Sequence, residues 1–396
     1  MYPQTASTSL PTRVLRFTTI EELLPYADDW DRMSQNVPFR AWPWLSCWWR
    51  HYGAPPARGP RPQLFVLGVL DAAGRLIGIA PWYLDNSTWQ GRVVRFLGTG
   101  EVCSEYLTVL TVPGQEDAVV AALADWLSCA RGPDAWDLLE LTAVSADDPV
   151  MAGLAQCLEA RGNLIHRRPG PGCWRIELPD TWDEYLATLS KQHRNRLRKA
   201  ERRLLANERA TVRWVRDPQD LPRAQQILIE LHQARRKLLG EPGCFSSARY
   251  KAFHCEAMEA LLHRSQLGLF WVELDGRPLV VEYMYLGDKT VYLYQCGLDT
   301  TRLDDSPGRV GNLACLRFAI EHGCRTFDFL RGDEPYKAHF RAQPKACVEL
   351  RVVPARTLSR IRHEIWRVGA AAKPWLTGRR RAPANLAVAD DALNNA

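Results

Sequence analysis

Apolar residues recur at helical spacing from residue 19 to 34 (TIEELLPYADDWDRMS), with Ile20, Leu23, Leu24, Tyr26, Ala27 and Trp30 on one face and Thr18 or Thr19 in the capping position. After a short polar start, a helix is therefore predicted to open the fold. PFRAWPWLSCWWRHYG concentrates aromatic rings ahead of the Pro/Gly-rich stretch GAPPARGPRP. The apolar runs then shorten: QLFVLGVLD and RLIGIAPWYL flank DAAG, which predicts a hairpin. SEYLTVLTV reads as a strand, residues 116 to 129 as a helix, WDLLELTAV as a strand and residues 150 to 161 as a helix. RRPGPG, at 167 to 172, interrupts the periodicity and marks a break between domains.

The second half repeats this plan. TWDE at 181 to 184 fits a capping box, and Tyr185, Leu189, Leu197, Ala200 and Leu204 trace an apolar stripe behind it. Two ordinary helices follow, PRAQQILIELHQARRKLL and SARYKAFHCEAMEALLHR. LGLFWVEL (267 to 274), PLVVEYMYL (278 to 286) and TVYLYQCG (290 to 297) are three strands joined by DG and GD turns, hence an antiparallel meander. DTTRLDDSPG leads into the helix RVGNLACLRFAIEHG and on to the strand TFDFL. VPG, helix, WDLLEL in the first half matches SPG, helix, TFDFL in the second, which predicts two copies of one α/β (α+β) fold. The domains are read as 10–166, 172–354 and a tail, 355–396. In that tail TLSRIRHEIWRV forms a basic amphipathic helix, and GRRRAPANLAVADDALNNA, without apolar periodicity, is expected to be mobile. The tail reads as a solvated basic segment or as a binder of anionic surfaces.

With 396 residues, 46% of them hydrophobic and 24% charged, the chain lies far from the composition of disordered proteins. A net charge of +6 favours anionic ligands locally without the overall basicity that argues for DNA. The cysteines number eleven, an odd count with no C-x-x-C pair, which reads as reduced thiols in a cytoplasmic protein. No apolar run approaches the ~18 residues of a membrane span, and the first residues lack a secretory pattern. G-x-S-x-G, H-E-x-x-H, Walker A and Cys/His metal spacings are all missing from the sequence, so serine hydrolase, zincin, P-loop NTPase and zinc-finger chemistry lose support and no metal is expected.

Three segments concentrate chemistry. Ser306 at N-cap, Pro307 at N1, then Gly308, Arg309, Gly311 and Asn312 make a helix start whose open backbone N–H groups suit a phosphate, or simply a good helix start. In FDFLRGDEPYK, Asp328 falls on the face of its strand opposite Phe327 and Phe329, and Arg331, Asp333, Glu334, Tyr336 and Lys337 follow at once. A buried carboxylate needs a partner, so this segment is either a salt-bridged turn or a site. The helix after Thr181 carries Lys191, His193, Arg194, Arg196, Arg198, Lys199, Arg202 and Arg203 against a single opposing Glu201, and such a run suits polyphosphate, tRNA or an acidic partner. His193 and His339, among nine scattered histidines, are read as surface residues.

WDEYLATLSKQHRNRLRKAERRL, SPGRVGN and FDFLRGDEPYK together resemble the BioF-like and CelD-like acetyltransferase branch of the GNAT superfamily, which is related to the Fem-type aminoacyltransferases. PFRAWPWLSCWW and FLGTGEVCSEYLTV extend the likeness into the first half, with Glu105 where an Asp is more usual, and SPGRVGN lacks the full R-x-x-G-x-G/A of the superfamily. The resemblance implies two tandem GNAT-like domains, each a mixed, mostly antiparallel sheet flanked by helices. It implies acetyl-CoA or another acyl-CoA as donor and an amine, sugar amine or hydroxyl as acceptor, with a role in exopolysaccharide, cellulose or cell-envelope production.

The candidate bases are Asp328 and Glu282, Tyr336 is the candidate proton donor to the thiolate, and Lys337 or Arg331 holds an anionic part of a substrate. Ser306, Gly308, Arg309, Gly311 and Asn312 are assigned to the cofactor, and Asp333, Glu334, Arg194 and Arg198 join Arg331 on the substrate. The alternatives are Fem-type transfer from aminoacyl-tRNA and an inactive scaffold of a polysaccharide synthase.

Overall fold

The computed structural model describes residues 12–54, 61–204 and 209–376, so the tail from residue 377, the first eleven residues and part of the Pro/Gly-rich stretch lie outside the described residues. The chain divides into two compact units, residues 1–170 with Cys347–Leu376, and Pro171–Ala346. The first unit contains β1 (Arg13–Phe17), α1 (Ala27–Met33), α2 (Trp42–Tyr52), β2 (Gln63–Leu64), β3 (Val66–Leu70), β4 (Leu76–Ala80), β5 (Trp82–Ser87), β6 (Gly91–Phe96), β7 (Leu110–Thr111), α3 (Glu116–Cys129), β8 (Leu138–Ser145), α4 (Pro149–Ala160) and β9 (Leu164–Pro169). The second contains β10 (Cys173–Glu177), α5 (Trp182–Thr188), α6 (Lys191–Leu204), β11 (Ala210–Trp214), α7 (Leu221–Leu238), α8 (Ala248–His263), β12 (Leu267–Leu274), β13 (Arg277–Leu286), β14 (Thr290–Leu298), α9 (Pro307–Glu321), β15 (Thr326–Arg331), the one-turn α10 (Tyr336–His339) and β16 (Gln343–Lys345). The chain then returns to the first unit as β17 (Cys347–Val353) and α11 (Thr357–Leu376).

In the first unit one sheet runs β1-β3-β4-β7 and the other β2-β5-β6-β8-β17-β9, with β6 and β8 the parallel pair. Trp82, Phe96, Trp136, Leu139, Leu154 and Leu350 belong to one buried core beneath α3 and α4.

Several local expectations change here. The opening helix is preceded by β1 and begins as a 3-10 turn (Glu21–Tyr26), and it is the Glu22 carboxylate that accepts from the Thr18 and Thr19 amides rather than a threonine side chain that caps. LIGIAPWYL is two strands in different sheets, because Pro81 interrupts the ladder between β4 and β5. Of SEYLTVLTV, Leu110–Thr111 is strand. β17, next to the C-terminal half in sequence, pairs with β8 and β9 of the first unit, where its alternating apolar side chains complete that unit's core.

The second unit is one seven-stranded sheet, β11-β12-β13-β14-β15-β10-β16. β12 to β14 form the expected antiparallel meander, and Asp275 (φ 54°) and Gly276 (φ 74°) adopt the left-handed backbone of a tight hairpin turn. β12 is buried along its whole length, as a strand covered on both faces must be. The capping box predicted at Thr181 and Glu184 is present in both directions.

Candidate functional site

Among the described residues β14 and β15 are the one parallel pair in the second sheet, and their ladder covers only three rungs, Thr290 to Tyr292 against Thr326 to Asp328. A bulge at Tyr294 shifts the register between β13 and β14, since Tyr283 faces Gln295 while Met284 faces Leu293. A bulge bends its strand, so β14 turns away while β15 continues along β10. The two strands part in the middle of the sheet, and α9 starts from the loop that follows β14.

Glu282, on β13, is buried at this point, and its Oε2 has no hydrogen-bond partner among the described residues. Burial pushes its carboxyl up to about 8, against a weaker opposing pull from the Arg235 guanidinium of α7. Gly311 of α9 lies directly against the carboxylate; a Cβ there would collide with it. Tyr336, half-buried at the start of α10, feels the same surroundings. Its phenol is held well above its ordinary value by desolvation and by nearby Cys296, Glu334 and Glu282. Cys315, on α9, is also raised, first by burial and then by Glu282 and Cys296. Arg235 reaches the Cys296 thiol, with Nη1 3.8 Å from Sγ. Glu282, Tyr336, Arg235, Cys296 and Cys315 therefore form one electrostatically linked group around the divergence of β14 and β15.

Asp328 is held differently. Its side chain is fully buried and pairs with Arg175 of the neighbouring β10, with Nη2 3.3 Å from Oδ2. Its Oδ1 accepts from the Leu330 amide at 2.8 Å, and Leu330 sits in left-handed backbone at φ 56°. Phe327 and Phe329 lie in the core on the opposite face, as the alternation predicts. Lys337 is likewise buried: Nζ donates to the carbonyls of Arg331 and Gly332 at 3.0 Å, reaches those of Phe329 and Leu330, and lies 2.9 Å from Glu334 Oε2. Asp333 accepts from the Trp174 indole at 3.1 Å. This turn is thus tied together by its own charges.

At the start of α9, Ser306 adopts left-handed backbone and its hydroxyl accepts from Arg309 Nη1 at 3.0 Å rather than capping the helix. Pro307, Gly308, Gly311 and Asn312 are buried, and the Asn312 amide donates to the Gly308 carbonyl. Helix α6 packs on α9. His193 of α6 stacks on His339 of α10 with ring centroids 4.5 Å apart, so two residues read as unrelated surface histidines meet. His193 is lowered by desolvation and then by His339, Arg196, Arg309 and Arg341. Arg309 is itself lowered by burial and by Arg196. Cationic side chains from three segments thus converge beside the first turn of α9. Arg194 donates to the Leu189 carbonyl, and Arg198 lies on the exposed face of α6.

The sequence reading placed Glu282, Tyr336, Arg309 and Gly311 in this region, named Arg196 within the basic run suited to an anion, and missed Arg235, Cys296 and Arg341. Arg235 is a lone cation within an ordinary amphipathic pattern, and nothing in the spacing distinguishes it.

Residues 191–338 match the family described as "Acetyltransferase (GNAT) domain". No curated protein matches the chain. Among solved structures, the crystal structure of FemX aligns with 85% of this chain and 96% of its own at a TM-score of 0.57 and 12% identity. A conserved protein of unknown function from Bacteroides thetaiotaomicron aligns with 86% of this chain and 100% of its own at 0.55 and 10%. The C-terminal domain of a putative lysylphosphatidylglycerol synthetase from Agrobacterium fabrum aligns with 87% and 95% at 0.52 and 12%. Residues 191–338 thus resemble a GNAT domain, and the chain as a whole shares the fold of FemX.

Proposed function

We propose that the second unit is an acyltransferase site that moves an acyl group from acyl-CoA to an amine, or to the amine or hydroxyl of a sugar. The observation that carries this reading is the solitary buried carboxylate of Glu282, held against α9 where β14 and β15 part. A group titrating near 8 is matched to taking a proton from an ammonium-derived nucleophile near neutral pH. The amine attacks the thioester carbon and loses its proton to Glu282. The thiolate leaves and takes a proton from the Tyr336 phenol, which its surroundings keep protonated. The first turn of α9, with Arg309, Arg196 and Arg341, receives the phosphates of the donor. Asp328 and Lys337 shape the turn that ends β15, and Arg331, Asp333 and Glu334 of that turn are assigned to the acceptor. The likeness to the CelD-like branch directs the acceptor search to glycan precursors.

The test is direct transfer, followed by mass spectrometry of the acceptor and release of free CoA, over a panel of amines and amino sugars. Transfer to any of them that is lost in Glu282→Gln supports the assignment. Full activity in that variant removes Glu282 from the chemistry.

A second reading, aminoacyl transfer from tRNA, rests on the exposed cations Lys191, Arg196, Arg198, Lys199 and Arg202 of α6, which extend beyond the reach of one diphosphate. Binding of aminoacyl-tRNA at physiological salt, with no stabilisation of the protein by acetyl-CoA, favours it over the first.

A further inference from the structure

Large apolar side chains exposed to solvent are concentrated at one place in the first unit. On α11, Leu358, Ile361, Ile365 and Val368 are between 51% and 66% exposed and follow one another at spacings of three and four, so they form a single stripe. The opposite face of the helix packs inward through Ser359, whose hydroxyl donates to Asp137, and through buried His363. Arg351 stacks on Trp366 with its guanidinium carbon 3.7 Å from the ring centroid. The stripe is therefore not the packing face of the helix. Two further exposed residues flank it. Trp89, 85% exposed, tops the turn between β5 and β6, and Gly91, which opens β6 directly after that turn, abuts Arg362 of α11. Leu164, 40% exposed, begins β9 beside Gly162, whose carbonyl accepts from Arg360 of α11.

The charges around this surface are one-sided. Arg362 pairs with Asp137, Arg367 with Glu364 and Arg168 with Glu349, whereas Arg167, Arg356 and Arg360 have no carboxylate partner among the described residues. In sequence, α11 is followed by Arg379, Arg380 and Arg381. No helix among the described residues is long and apolar enough to cross a membrane.

We infer that this face, α11 with the Trp89 turn, seats the protein on the surface of an anionic phospholipid bilayer. A helix lying in the interface buries an apolar stripe among the acyl chain ends, keeps its arginines at the headgroups and is helped by a tryptophan at the same level. A second copy of the chain is the poorer occupant, because it brings the same unmatched arginines face to face. The proposal is independent of the chemistry assigned to the second unit.

Vesicle co-sedimentation of the full chain tests it, with phosphatidylcholine vesicles against vesicles containing about 30% phosphatidylglycerol. Expected are binding at least ~10-fold tighter to the anionic vesicles and weakening by about fivefold or more in 0.5 M salt. The double change Ile361→Glu with Ile365→Glu removes binding while the melting temperature and the acyl-CoA-induced stabilisation stay as in the parent. Trp89→Ala, on a separate element, reduces binding by a few-fold. The proposal is overturned by equal or no binding to the two vesicle types, or by binding that survives the double change. It is also overturned by a solution dimer that the double change dissolves, or by vesicle binding that emerges only after residues 377–396 are removed.

Discussion

Gly311 and Glu282 are in such close approach, across the interface of α9 with β13, that the helix has room for a hydrogen and not for a methyl group. An exposed helix interior gains stability of about 1 kcal/mol on changing glycine to alanine. Here the sign reverses. Gly311→Ala is expected to destabilise the protein by about 1–3 kcal/mol as the carboxylate or the helix shifts. Displacing the proposed base is also expected to lower kcat/KM by about 100-fold. Urea unfolding and steady-state kinetics of the variant check both, and a stabilised, fully active Gly311→Ala protein would show that the contact does not set the position of Glu282.

With Glu282 as the proposed base, activity and stability are expected to depend on pH in the same window. Its carboxyl lies near 8 in the folded chain against an ordinary value of 4.5. The unfolded chain therefore releases this proton at lower pH than the folded chain does. The stability associated with the group is complete below about 4.5 and is lost progressively as pH rises through 8. Glu282→Gln, which cannot ionise, should melt several degrees higher than the parent at pH 8 and within about one degree of it at pH 5. In the parent, kcat/KM should rise with pH to an inflection near 8, because only the deprotonated base is productive. That limb should be missing from whatever residual rate Glu282→Gln retains.

Asp328 and Lys337, which the sequence placed beside Glu282 as chemistry, are expected to behave as supports of the fold. Asp328→Asn leaves Arg175 without its carboxylate and weakens the bond that holds Leu330 in left-handed backbone. Lys337→Met strips the donor shared by the carbonyls at the end of β15. Each is expected to lose about 2–5 kcal/mol of stability, the cost of breaking a buried charge pair. The folded fraction of either variant should keep the parent's pH profile. A shifted inflection in Asp328→Asn with unchanged stability would return that residue to the reaction.

How much of this was legible beforehand divides along physical lines. Local rules carried the capping box at Thr181, the meander of β12 to β14 and the opposite faces of Phe327 and Asp328, because each depends on neighbours within a few residues. The same rules could not place β17 between β8 and β9, since a strand's partner is decided by which unit has an open sheet position for its apolar side chains. Nor could they tell Asp328, neutralised by Arg175 from β10, from Glu282, on which burial outweighs the pull of Arg235 from α7. Both are single carboxylates in aromatic strands. Pro81 and the bulge at Tyr294 lie between these cases: the proline is visible as a breaker, but the extra residue in β14 becomes visible only when its register with β13 is known.

Arg309 and Arg196 offer the last prediction, because two guanidinium groups drawn together at a helix start repel one another unless an anion lies between them. Burial and Arg196 both lower Arg309. Removing one charge should therefore leave the free protein no less stable, in contrast to Glu282's neighbours, while the anion loses a partner worth about tenfold in affinity. Arg309→Ala is expected to raise KM for acyl-CoA by about tenfold with kcat within about a factor of two, since the phosphates are held alike in ground and transition states. Inorganic pyrophosphate should raise the melting temperature of the parent and do so markedly less in Arg309→Ala. A variant with unchanged KM and an unchanged pyrophosphate response would place the donor's phosphates away from α9, and the cations of α6 would then need another ligand.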